Sequence, residues 1–126
     1  MKLCHFTAVH LLDGCKRDGL TLGRVPWSDG RTVELRPGLQ WLTTNPKWEQ
    51  SWHNPEFSSL PYSRTAVRIT VSIPPIYRKR VLKWLRYCKG NKLTRDLNSY
   101  GDPENWRIFR GAIPPEWFTA IEVRPS

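Results

Sequence analysis

Residues 66–73, AVRITVSI, set Val67, Ile69, Val71 and Ile73 in strict alternation with Arg68, Thr70 and Ser72. Successive side chains of an extended chain point to opposite faces, so this stretch specifies a strand with one apolar and one polar face. A strand of that kind needs partners to complete its ladder. Five other stretches supply them: KLCHF (2–6), the short extended piece GLTLGRVPW (19–27), LQWLTT (39–44), WRIFRGAI (106–113) and FTAIEV (118–123).

Helical patterns fall between these strands. Thr7 is placed to N-cap a helix whose inner face is Val9, Leu11, Leu12 and Cys15, with Gly19 as its stop. Asn45 caps a second, short one, with Pro46 at its first position and Trp48 and Trp52 on one face. PPIYRKRVLKWLRYCKG, opened by proline and closed by Gly90, predicts a third over 75–89. Its inner stripe is Val81, Leu82, Leu85 and Cys88, and Arg78, Lys79, Lys83, Arg86 and Lys89 load its other faces. WSDGRTVELRPG (27–38) is dense in turn formers and charge and reads as a loop. The order β-α-β-β-α-β-α-(α)-β-β predicts a compact α+β fold with mainly antiparallel strands, a single domain over residues 1–126.

Composition narrows the function classes. The chain has 126 residues, 39% apolar residues and seven Trp, enough to build one core. No apolar run reaches the ~18 residues a membrane span needs, and no signal peptide is apparent, which makes a cytoplasmic protein the default expectation. Cys4, Cys15 and Cys88 are odd in number and widely spaced, so they form neither a disulfide framework nor a zinc knuckle. His5, His10 and Cys15 lack a fourth metal ligand at a usual spacing. A net charge of +9 favours a polyanionic partner: nucleic acid, a phosphate-rich cofactor or an acidic protein.

Walker, Rossmann, nucleophile-elbow and zinc-protease motifs are all missing. What the chain does carry is an ordered set: CHFT ending the first strand, DGLTLG after the first helix, then QWLT, SRTAVRITVSIP and ENWRIFRGAIPPEWFTAIEV. In this order the set resembles the ADP-ribosyltransferase-like fold, above all its small bacterial and phage members and the DarT-type enzymes that modify DNA. The resemblance covers the outline of the whole chain, and its motifs are short and degenerate. It implies a split antiparallel sheet with flanking helices, NAD⁺ as the substrate, and transfer of ADP-ribose to a nucleic acid or protein.

Carried over by position, the resemblance gives His5 and Thr7 to the nicotinamide–ribose part of NAD⁺ and puts Trp41 or Thr43 on the cleft wall. Thr7 as a helix cap competes with that role for one hydroxyl. Arg68, on the polar face of the best strand, either grips the pyrophosphate or is a solvated cross-strand charge; Arg64 precedes it in a loop. The catalytic carboxylate falls to Glu104, with His5 beside it, provided a two-residue bulge brings it in. Aligned strictly, the glutamate's place falls nearer Trp106, an indole that cannot do a carboxylate's work. The alternative function is a non-catalytic basic protein. In it Arg78, Lys79, Lys83 and Arg86 contact nucleic-acid phosphates or the acidic patch of a host protein.

Overall fold

The computed structural model describes residues 1–50, 62–99 and 101–125. Strands β1 (Lys2–Thr7), β4 (Leu39–Thr43), β5 (Val67–Ser72), β6 (Val81–Lys83), β7 (Trp106–Arg110) and β8 (Phe118–Val123) form one six-stranded sheet in the order β6-β7-β4-β1-β5-β8. Every pairing in it is antiparallel. Strands β2 (Arg24–Ser28) and β3 (Val33–Pro37) make a separate hairpin. The helices are short: α1 (Leu12–Asp18), α2 (Trp84–Tyr87) and α3 (Thr94–Asn98). The fold is therefore α+β with a mostly antiparallel sheet. Among the described residues, no helix is long and apolar enough to cross a membrane.

The sheet carries a core on each face. Strand β5, between β1 and the edge strand β8, has the apolar face its alternation predicts: Val67, Ile69 and Val71 are fully buried and join Leu3, Leu42 and Phe109 on one side, where Leu12 and Cys15 of α1 cover them. The opposite side is mostly indole. Trp84, Trp106 and Ile108 pack there with Val25 of the hairpin, Trp41, and Leu97 of α3.

Four sequence expectations give way. The helix over 75–89 becomes a 3-10 stretch (Pro75–Arg80), strand β6 and the single turn α2. Strand β7 offers a free ladder, and Val81, Leu82 and Lys83 pair with Phe109, Ile108 and Arg107. Period two then replaces the helical period, so Trp84 is fully buried and Leu85, expected inside, is 47% exposed.

The expected loop at 27–38 is largely the β2–β3 hairpin. Asp29 Oδ1 accepts from the backbone N–H groups of Arg31 and Thr32, shaping the turn, and Gly30 takes φ +96° there. Buried Asn91 fastens the hairpin to the body by accepting from Ser28 N–H (3.0 Å) and donating to the Pro26 carbonyl (3.0 Å).

Thr7 caps no helix. The chain enters α1 through a 3-10 turn (Val9–Leu11) that begins without a side-chain cap. Asn45 accepts from Lys47 N–H in a turn, with no helix over 45–50; Trp52 lies outside the described residues.

Candidate functional site

Strand β1 pairs with β5 along its whole length, from Lys2↔Ser72 to Thr7↔Val67. With β4 it pairs at Cys4↔Thr43 alone. Beyond that step the two strands part, and a cleft of about 770 Å³ opens at the seam, a size typical of small-molecule sites. His5, Thr7, Trp41, Thr43 and Arg64 all line it, so five of the six proposed cofactor contacts meet at one place. Sequence order alone does not bring them there; the antiparallel reversal between β1 and β4 does.

His5 sets the polarity of the seam. Its Nδ1 lies 2.8 Å from the Trp41 carbonyl oxygen. A carbonyl only accepts, so Nδ1 carries the proton and Nε2 is left as an acceptor. Burial pushes the imidazole pKa below its usual value and outweighs the opposing effect of this bond, so the ring is neutral at pH 7. Thr7 is buried, and its hydroxyl is not spent on a helix cap. Thr43 Oγ1 accepts from Asn45 N–H at 3.0 Å.

The rest of the lining was not found from the sequence. Trp106 stands beside Thr43, its cross-strand partner, and Trp41 donates its indole N–H to the Arg24 carbonyl at 2.9 Å. Arg24, Tyr62, Leu22 and Leu97 complete much of the wall. Arg24 and Arg64, both exposed, bring positive charge to it. The extended reading of GLTLGRVPW was the one available signal for Arg24, which lies at the start of β2.

Two expected site residues lie elsewhere. Arg68 shares its sheet face with Phe6 and Glu122, its neighbours across the ladder, and is absent from the cleft lining. Its guanidinium donates to Glu122 Oε2 (2.9 Å) and the Pro46 carbonyl (2.6 Å) and lies 4.5 Å from the Trp48 ring. It is a cross-strand ion pair stacked on an indole, not a phosphate grip at the seam.

Glu104 is the second. It lies exposed in the 3-10 turn Pro103–Asn105, and the two-residue bulge that would carry it into β7 does not form. Register in β7 runs unbroken from Thr43↔Trp106 to Leu39↔Arg110, which puts the indole where the resemblance leads one to expect an acid. Among the described residues that line the cleft, none carries a carboxylate.

The four cations expected on the outer faces of one helix, Arg78, Lys79, Lys83 and Arg86, are all exposed but spread over the 3-10 stretch, β6 and α2. None of them makes an ion pair with a described residue. Among the described residues no cluster of His, Cys, Asp or Glu is arranged to hold a metal ion. The chain matches no protein-family model, no curated protein and no solved structure.

Proposed function

We propose that the seam between β1 and β4 is the binding cleft of an ADP-ribosyltransferase-like domain and takes NAD⁺. One observation carries the reading: His5, Thr7, Trp41, Thr43 and Arg64, named from the motif order, line a single cleft of about 770 Å³. In this reading the Nε2 acceptor of His5 and the hydroxyl of Thr7 meet ribose or carboxamide donors. The indole of Trp41 gives the planar ring a surface to stack on, and Arg24 and Arg64 balance the pyrophosphate charge.

Departure of nicotinamide builds positive charge on the ribose, which a carboxylate stabilises. Glu104 lies outside the cleft, so it supplies no such charge. Binding of the dinucleotide is the part of the reading with support, and transfer of ADP-ribose to a macromolecule is its further extension. Isothermal titration with NAD⁺ tests the first and release of nicotinamide the second. No heat at millimolar NAD⁺ removes both.

A second reading rests on a different observation. From Ser63 to Arg95 the chain holds ten Lys and Arg and no Asp or Glu. Arg78, Lys79, Lys83 and Arg86, exposed and without ion pairs to described residues, wrap the β6 edge of the sheet. Unneutralised cations of this density suit nucleic-acid phosphates, with an acidic protein as the other candidate. Retardation of nucleic acid that weakens steeply with salt supports it, and retardation indifferent to salt removes it.

A further inference from the structure

We infer that the indole N–H of Trp106 is the cleft's hydrogen-bond donor to an uncharged acceptor on the bound dinucleotide, a carboxamide oxygen or a ring nitrogen; this rests on the dinucleotide reading above. Trp106 lines the cleft, is 6% exposed, and its Nε1 is buried with no hydrogen-bond partner among the described residues. Its neighbours in the cluster are satisfied: Trp41 Nε1 donates to the Arg24 carbonyl (2.9 Å) and Trp84 Nε1 to Asn98 Oδ1 (2.6 Å). An indole nitrogen donates and never accepts. A buried donor left unmade costs stability, so an orphan on a cleft wall calls for an explanation in what the cleft holds.

The surroundings select the acceptor. Trp41, Trp84 and Leu97 pack in the same cluster, and an anionic phosphate brought among them would lose its water without a charge partner. Arg24 and Arg64 offer the phosphates a better place. A neutral carbonyl or ring nitrogen suffers far less from that environment. Because the nitrogen itself is covered, the acceptor reaches it by a small rotation of the indole or of half-buried Leu97. The site thus presents a donor at the place where the family resemblance leads one to expect an acceptor.

The test uses the whole protein, ¹⁵N-labelled, and the indole N–H signals of its seven Trp residues. The Trp106 signal is identified by its loss in Trp106→Phe, or by sequential assignment of the wild type if that variant does not fold. With NAD⁺ added, the Trp106 signal is expected to move downfield further than the other indole signals. Trp106→Phe should bind about three- to tenfold more weakly, the usual worth of one neutral hydrogen bond. ADP-ribose, which lacks nicotinamide, separates the acceptors: a retained shift points to the adenine ring, a lost one to the carboxamide. If NAD⁺ perturbs His5 and Thr7 while the Trp106 signal stays still, or if Trp106→Phe binds as tightly as wild type, the inference is overturned and the dinucleotide reading stands. If no cleft residue responds, the dinucleotide reading fails and takes the inference with it.

Discussion

His5 donates from Nδ1 to the Trp41 carbonyl at 2.8 Å, joining β1 to β4 by a side chain just past their one backbone pairing. Burial holds its pKa below the usual 6.5, so the unfolded chain takes up this proton at a higher pH than the folded one. Folding stability should therefore be fully present above about pH 6.5 and fall as pH drops below it. Thermal melts of wild type and His5→Gln between pH 5 and 8 check this, and the variant should lose part of the acid slope. His5→Phe, whose ring has no acceptor, should bind NAD⁺ roughly tenfold more weakly.

Glu104→Gln tests the misplaced acid. Since Glu104 is exposed and outside the cleft, NAD⁺ affinity and any nicotinamide release should stay within about twofold of wild type, the scatter expected of a surface change. Loss of release in this variant would show that the turn before β7 reaches the seam when ligand is bound.

Arg68→Ala separates scaffold from site. It removes the pair with Glu122, the bond to Pro46 and the contact with Trp48. Denaturant titration should show a loss of about 1–2 kcal/mol, and calorimetry an unchanged NAD⁺ affinity.

Gln40 ties three segments together. Nearly fully buried, it accepts from Gly23 N–H (2.9 Å) and donates to the Gly111 carbonyl (3.1 Å). Gln40→Ala leaves both groups unpaired and opens a void, a loss of about 2–4 kcal/mol by denaturant titration. Gly19→Ala should be as damaging, because φ is +81° there and a Cβ would collide with the Ile113 backbone carbonyl.

Charge reversal of Lys79, Lys83 and Arg86 addresses the basic edge. Each lost phosphate contact should lower the slope of log affinity against log salt by about 0.7–0.9. NAD⁺ binding should be unaffected, because none of the three lines the cleft.

Strand β5 was legible because alternation over eight residues has one physical solution, a strand covered differently on its two faces. The His5–Thr7–Trp41–Thr43–Arg64 grouping was legible only through motif order, since the antiparallel return of β4 is a tertiary fact. The stretch 75–89 misled because Val81, Leu82, Leu85 and Cys88 fit a helical stripe as written. The pull of an unfilled edge on β7 outweighed that local preference. Glu104 hung on a two-residue bulge that the sequence leaves open; the unbroken β4–β7 register, a tertiary fact, decides which side chain faces the seam.

The backbone ladder between the two halves of the sheet has one pairing, Cys4↔Thr43, which leaves the edges of β1 and β4 unzipped beyond that rung. A molecule entering there severs no existing ladder, and the expense of keeping those edges apart belongs to folding rather than to capture. On the dinucleotide reading, the gap stands open before any ligand arrives.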